Sequence, residues 1–400
     1  VRILFVHDNP THQGGAETYM FSLMELLKER GHQTFLFSFK EDEDLKTEET
    51  EDSFIYGEKR RGWLSRHISY YYFDLGVYRA LKSYIREVKP DVIHLQNITK
   101  HPTTIILAAG SSGVPVVQTI HDIRAVCLTG LCMTPDGGVC DGGFSLKCAR
   151  SGCIRHRSYV YNILPNMMRR CLMKRRIKTI ICASRAFEKK MRDSGINNVT
   201  YLPLCIESSK YDPDPARIED GSILFAGMLE KSKGTSYLIG AFPRIAERFE
   251  NARLHILGDG SEREALVRRV DELKIRERVI FHGKVMPHEM PQYYSKANVV
   301  VFPSICFENS PYVIREAMAA GRPVVGSDTG GVSEMVEESK TGFIVPIGNS
   351  EKIAERVNRL LSDKDYVIQL GKAARSKVER EFGVGYHMDR ILELYRSVIQ

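Results

Sequence analysis

The chain has 400 residues, 43% of them apolar, and 57 Lys and Arg against 50 Asp and Glu give a net charge of +7. This composition excludes a disordered or fibrous protein, and the length exceeds one ordinary core, so two domains are expected. No apolar run approaches the roughly 20 residues that a helix needs to cross a bilayer. The first residues, VRILFVHD, enter a strand pattern with no visible leader, so a cytoplasmic home is the default.

The first half predicts strands at Arg2–His7, Gln33–Phe39, Asp91–Gln96, Pro115–His121, Thr179–Ser184 and Val199–Leu204, with helical patterns between several of them. One such helix, Ala16–Arg30, closes at Gly31. Strand one leads into His7 to Glu17, a loop ending in Gly14-Gly15-Ala16-Glu17 at the helix start. Paired glycines let backbone approach a ligand, and a helix N-terminus favours an anion; a structural turn accounts for the pair equally well. The acidic run 41–52, with eight Asp or Glu, reads as a solvated loop. Gln96 and Asn97 follow the third strand, and His121 and Asp122 the fourth.

Directly after Asp122, five cysteines fall within 27 residues, Cys127, Cys132, Cys140, Cys148 and Cys153, spaced C-x4-C-x7-C-x7-C-x4-C. A structural zinc or iron–sulfur site is one account, weakened by the lack of C-x2-C pairs. Disulfides, which a reducing cytosol disfavours, and ordinary thiols ordering a Gly-rich insert (123–156) are the others. Cys171, Cys182, Cys205 and Cys306 stand in apolar contexts and read as packing residues.

Residues 155–178 then carry eight Arg or Lys and no acid, interleaved from Tyr159 with Tyr161, Ile163, Leu164, Met168 and Leu172 at near-helical spacing. Such a helix fits an anionic membrane surface, or a solvated outer helix whose apolar stripe packs on the sheet. No nucleic-acid-binding motif accompanies the bases, so no nucleic acid partner is expected.

A linker is expected at 205–221, rich in Pro and acids. The second half predicts strands at Ser222–Ala226, Ala252–Leu257, Val279–His282, Asn298–Phe302, Pro323–Ser327 and Phe343–Pro346. The fold class is therefore α/β: two Rossmann-like, doubly wound parallel sheets, 1–204 and 222–383, facing one interdomain cleft, with ligands beyond the strands' carboxyl ends.

The chemistry concentrates after the strand ending at Phe302. There FENSPYVIREAMAAG (307–321) sets Glu308 in a loop and Glu316 about a turn and a half inside a helix, with Pro311 in its first turn. Amides from Ser310 to Val313 form a phosphate cradle, flanked by two carboxylates suited to hydroxyl groups. Lys233, beside Gly234 at another helix start, supplies a point charge for a diphosphate. Gly227, Gly258-Asp259-Gly260 and Thr329-Gly330-Gly331 repeat the strand–glycine–helix arrangement.

On these motifs the chain resembles the retaining glycosyltransferases of family 4, which adopt the two-domain GT-B fold; the likeness spans nearly the whole chain and is most specific over 223–346. It implies that Glu308 binds hydroxyls of the donor sugar, Glu316 binds the ribose, and Lys233 neutralises the diphosphate. It further implies that Gly15, Gly227, Gly258, Val285, Asn309, Ser310, Pro311, Tyr312 and Val313 line the donor, with base selection near Lys284-Val285. His121, with Lys233 and Glu308, belongs to the implied catalytic set. Gly14, Gly15, Glu17, Asn97 and Asp122 fall on the acceptor side. Residues 384–400 resemble the family's closing helix, which returns to the first domain. One departure is Met228, where many relatives carry Arg; Lys231 or Arg315 is then the substitute cation. The implied reaction moves a sugar from a UDP- or GDP-linked donor to a saccharide or lipid-linked acceptor, in polysaccharide, glycolipid or cell-envelope glycan synthesis. It keeps the anomeric configuration, and no Asp-x-Asp motif calls for a catalytic metal. An epimerase or hydrolase on the same fold, or a non-catalytic sugar-nucleotide-binding protein, are the alternatives.

Overall fold

Short apolar runs rich in Val, Ile and Phe, each followed by a helix, can pair only in parallel, because the helix carries the chain back to the start of the next strand. A computed structural model of the chain has this arrangement twice. It describes all residues except 11–13, 42–47, 51, 59–62, 136, 137, 139, 141 and 142. The chain divides into a first unit, Val1–Gly130 with Asp141–Leu202 and His387–Gln400, and a second, Leu131–Cys140 with Pro203–Tyr386.

The first unit holds β1 (Arg2–Val6), β2 (Gln33–Glu41), β3 (Glu48–Thr50), β4 (Ser53–Glu58), β5 (Val92–Leu95), β6 (Val116–Ile120), β7 (Thr179–Cys182) and β8 (Val199–Tyr201). Their order is β3-β4-β2-β1-β5-β6-β7-β8, parallel throughout except at β3–β4. The chain winds outward in opposite directions from β1 and β5, so the loops after these two strands diverge and leave room for a ligand. In the second unit β9 (Ser222–Ala226), β10 (Arg253–Leu257), β11 (Val279–Gly283), β12 (Val299–Phe302), β13 (Val324–Ser327) and β14 (Gly342–Val345) are all parallel, in the order β11-β10-β9-β12-β13-β14. The corresponding divergence lies between β9 and β12.

Both sheets are covered on both faces, which is why their strands read as unbroken apolar runs. Along β9, Ile223 and Phe225 join one buried cluster with Phe242, Val299 and Val301. Leu224 and Ala226 point the other way, into a cluster with Val300, Phe302 and Ile314.

Two elements depart from the sequence expectation. The acidic run is not wholly a loop: 42–47 and 51 lie outside the described residues, but Glu48–Thr50 is β3, an edge strand antiparallel to β4. A strand of only three residues at the edge leaves little open backbone for further pairing. Its partner β4 is anchored by Phe54, whose ring stacks on Phe37 at 5.3 Å.

Residues 205–221 are tied into the second unit. Ile206 N–H donates to Phe382 O at 2.9 Å, Glu219 N–H to Lys296 O at 2.9 Å, and Arg322 reaches Asp214 O at 2.9 Å. The helix Val384–Ile399 buries Met388, Ile391 and Leu392 and supplies His387 and Tyr395 to the first unit. Tyr19 Oη lies 2.9 Å from His387 Nε2, and His94 Nδ1 lies 2.6 Å from Tyr395 Oη, both as hydrogen bonds.

The loops after β9 and β10 touch backbone to backbone. Gly258 has φ +130°, and a Cβ there would fall 1.9 Å from Gly227 O. Gly258→Ala is expected to lower the unfolding free energy by about 1–3 kcal/mol for the backbone strain alone, read as an earlier midpoint in urea denaturation; an unchanged midpoint would show that the two loops part without cost.

Candidate active site

At the divergence of the second sheet, the loop after β9 tightens into a single turn, Lys231–Lys233, and the loop after β12 runs through Pro303 and Ser304 to Glu308. Lys233 Nζ donates to Glu308 Oε1 at 2.7 Å, and Ser304 Oγ donates to the same oxygen at 2.6 Å. Burial alone would favour neutral Lys233, but the Glu308 charge outweighs it and holds the ammonium above its usual range. The Glu308 backbone is equally constrained: its carbonyl accepts Gly331 N–H at 2.8 Å, and a Cβ on Gly330 would sit 1.9 Å from that oxygen.

The following helix, Tyr312–Ala319, has Pro311 as its N-cap rather than inside the first turn. Its first N–H groups have no acceptor within the helix, as in any helix start. Glu316 is buried inside it, with Oε1 accepting Tyr211 Oη at 2.8 Å and Oε2 accepting Tyr294 Oη at 2.7 Å. Burial raises the Glu316 pKa against these bonds and the nearby Arg315 charge, and burial beside Glu316 raises both tyrosines. Each carboxylate oxygen retains an acceptor site beyond its tyrosine. Neither tyrosine is signalled by the sequence, because Tyr294 reads as core and Tyr211 falls in the stretch read as a linker.

Arg315 is spoken for. Its Nη1 donates to Leu204 O at 2.9 Å and to Ser310 Oγ at 3.1 Å, its Nη2 to Ser310 O at 3.2 Å, and its plane lies over the Tyr312 ring. It shapes the turn at Ser310. Lys231 is exposed, as is Met228. Asn309, Ser310, Pro311, Tyr312, Val313 and Val285 are all half-buried, and Gly227 and Gly258 form the backbone contact described above.

In the first unit the polar residues gather after β1, β5 and β6. Asp8, buried, accepts Thr99 N–H and Thr99 Oγ1 at 2.5 Å each and Lys100 N–H at 3.1 Å; burial nonetheless raises its pKa. His7 Nε2 donates to Glu17 Oε1 at 3.1 Å, and Gly14 caps the helix that carries Gly15 and Glu17. Burial pushes the Glu17 pKa up, but the His7 bond and charge, with backbone and Asn9 donors, bring it down to about 2. His121 Nε2 donates to Gln96 Oε1 at 2.8 Å, and the His121 ring lies 5.5 Å from that of Tyr19. Asp122 accepts Arg124 N–H at 2.9 Å as the cap of a short turn, and Asn97 supplies its carbonyl to Asp8 N–H at 2.9 Å. Sequence reading missed Asp8, Tyr19 and His387.

The five clustered cysteines divide between the units: Cys132 and Cys140 lie with the second, Cys127, Cys148 and Cys153 with the first. Among the described residues no group of three or more His, Cys, Asp or Glu is placed to hold a metal ion. Also among the described residues, no helix is long and apolar enough to cross a membrane.

Residues 13–210 match the family described as Glycosyltransferase Family 4, and residues 212–377 match the family described as Glycosyl transferases group 1. The chain belongs to the GT-B glycosyltransferases of the family 4 type. Over 157 residues it is 40% identical to an uncharacterised glycosyltransferase of Methanocaldococcus jannaschii, covering 38% of the chain and 40% of that protein. Over 201 residues it is 30% identical to the GDP-mannose-dependent α-(1-6)-phosphatidylinositol monomannoside mannosyltransferase of Mycobacterium tuberculosis, covering 46% and 52%. It thus spans about half the length of the curated relatives it matches. In fold it is similar to Anabaena HepE, solved with UDP and glucose, with TM-score 0.74, 19% identity and 99% of each chain covered. It is likewise similar to a sucrose-phosphate synthase of Thermosynechococcus elongatus, with TM-score 0.79, 20% identity and 99% and 98% covered.

The Glu17 shift fixes the sign of a pH effect. Its folded pKa lies below the ordinary 4.5, so its stabilisation is complete above that value and is lost as pH falls through about 2. Glu17→Gln is expected to flatten the stability profile over this window, by on the order of 3 kcal/mol at most. Urea titrations at stepped pH read the difference, and parallel profiles for the two proteins would refute it.

Proposed function

We propose that this protein transfers a sugar from a nucleoside-diphosphate sugar, UDP- or GDP-linked, to a hydroxyl of a saccharide or lipid-linked acceptor. The transfer keeps the anomeric configuration and uses no catalytic metal. The observation that carries this reading is the Lys233–Glu308 pair at the divergence of β9 and β12, beside the helix start that leads to Glu316. The solved Anabaena fold relative holds UDP and glucose, and the mycobacterial relative is GDP-mannose-dependent, which supports a nucleotide-linked donor without choosing the base.

In this mechanism Lys233 leaves Glu308 for the diphosphate when the donor enters. Glu308 is then released to accept the donor sugar's hydroxyls, with Asn309 beside it. The amides of Ser310, Tyr312 and Val313 hold the distal phosphate, and Glu316 uses its remaining acceptor capacity for the ribose hydroxyls. Val285, Gly227 and Gly258 line the base and phosphates with backbone. The bond from the anomeric carbon to the diphosphate oxygen breaks, and the acceptor oxygen attacks from the same face. The acceptor proton passes to the departing phosphate, so charge and protons balance without a carboxylate nucleophile. Fixed amides and Lys233 act where negative charge develops, which is where preorganised donors are worth most. Lys231 is the available second cation in place of Arg at 228, since Arg315 is committed to Leu204 and Ser310. His121, oriented by Gln96, lies on the sugar side, and Gly14, Gly15, Glu17, Asn97 and Asp122 lie on the acceptor side.

A peripheral membrane partner is part of the same proposal. The helix His156–Arg176 exposes Val160, Tyr161, Leu164 and Met167 in its first turns and Lys174, Arg175 and Arg176 in its last. Exposed apolar residues followed by exposed bases on one helix match an anionic bilayer surface, each base near it contributing about 1 kcal/mol. The setting is accordingly the cytoplasmic face of a membrane, and the pathway one of glycolipid, polysaccharide or cell-envelope glycan assembly.

Two sets of outcomes are expected. A nucleoside-diphosphate sugar at 100 times its Kd raises unfolding free energy by about 2.7 kcal/mol, and Glu308→Gln or Lys233→Ala lowers kcat by about 10²–10³. Turnover of donor without acceptor would favour a hydrolase, and wild-type protein with no turnover would favour a binding protein. Second, replacing Lys174, Arg175 and Arg176 with Gln should release the protein from vesicles containing phosphatidylserine; unaltered co-sedimentation would rule out the membrane contact.

A further inference from the structure

A cavity of about 200 Å³ opens in the first unit, between the helices Pro102–Gly110 and His156–Arg176 and the turn after Asp122. Arg124, Arg169, Asn162 and Asn166 line it, and no acid does. Asn166 is 5% exposed. Its Oδ1 and the Nε of Arg169 are both buried with no hydrogen-bond partner among the described residues. Asp122 engages Arg124 loosely, at 3.5 Å, and burial pulls the Arg169 guanidinium below its usual pKa. Arg169 is half-buried, with its Nε turned inward and unbonded and with Asp122 and Asp8 near enough to act on its charge. An anion's oxygen would satisfy that N–H, and Asn166 Oδ1, an acceptor, suits a hydroxyl of the same ligand.

Beside Thr99 and Ser158, the remaining walls are apolar: Pro102, Leu128, Ile154 and Pro165, with Tyr71, which belongs to an exposed apolar set with Ile68 and Phe73. The occupant is therefore an anion attached to something greasy. Paired arginine forks suit a phosphate oxygen cluster.

We propose that this cavity, built by Arg124, Arg169, Asn162 and Asn166, seats the phosphate of a lipid phosphoester that serves as the acceptor. The inference rests on the transfer reading above and deepens it, since Asp122, which engages the lining Arg124, is one of the proposed acceptor-side residues. Phosphate is the shared chemistry of a lipid phosphoester and of free phosphate, and the two are separable by experiment.

Isothermal titration with octyl phosphate, inorganic phosphate and octyl glucoside on the full chain provides the test. Octyl phosphate is expected to bind, inorganic phosphate at least tenfold more weakly, and octyl glucoside not at all. Arg169→Gln should weaken octyl phosphate at least tenfold, Arg169→Lys should restore part of the loss, and Asn162→Asp, on the half-exposed side, should abolish binding by like charge. Absence of octyl phosphate binding, or binding indifferent to all three substitutions, overturns the proposal. Inorganic phosphate binding as tightly as octyl phosphate overturns the lipid assignment. The thermal shift with UDP or GDP, read on the same variants, is expected to be unchanged. A lost nucleotide shift with retained octyl phosphate binding would instead strike the donor reading.

Discussion

A lysine and a glutamate, 75 residues apart in sequence and 2.7 Å apart in space, satisfy each other where the second sheet divides. Neither charge could sit half-buried alone, since an unpaired charge withdrawn from water is strongly destabilising. The pair is also fixed from behind. The carbonyl of Glu308 is bonded to Gly331 and roofed by Gly330, so the carboxylate cannot retreat by moving its backbone. A ligand that displaces Lys233 must therefore bring its own negative charge, and one that engages Glu308 must bring donors. A nucleoside-diphosphate sugar carries both on one molecule.

Much of this was legible because it is local. Strand runs such as VVVF and SILFA, both buried on two faces, can be read without knowing their neighbours. The Glu308–Glu316 spacing could also be read, because loop and helix lie within one short segment. What escaped reading was set by distance. Tyr211 lies 105 residues from Glu316, within a Pro-rich stretch that looked like a linker, and nothing near it announces a buried hydroxyl. Arg315 looked like a substitute cation until its guanidinium was placed against Leu204 O and Ser310. The strand β4 escaped because SFIYGE is short and follows acids, and its place is set by partners distant in sequence, the parallel pairing with β2 and the stack of Phe54 on Phe37. Gly227, Gly258 and Gly330, read as ligand-facing turns, are also explained by loops touching loops.

The two units use the same layered plan with different electrostatics. In the second, acid and base neutralise each other at the divergence. In the first, Asp8 and Glu17 are held by Thr99, Lys100 N–H and His7, while the long helix His156–Arg176 brings Arg169 to an apolar-walled cavity. The first unit thus keeps these two acids internally satisfied and, among the described residues, leaves Arg169 Nε without a hydrogen-bond partner.

The return of His387 and Tyr395 to the first unit has a bearing on biosynthesis. On a ribosome, domains fold as they emerge, N-terminal first. Here Tyr19 and His94 lack the hydrogen bonds of His387 and Tyr395 until residues 387–400 have left the exit tunnel. The nascent first unit therefore waits, incompletely sealed, for the whole of the second to be made, and ribosome-bound chains ending before His387 would be the ones most in need of chaperones.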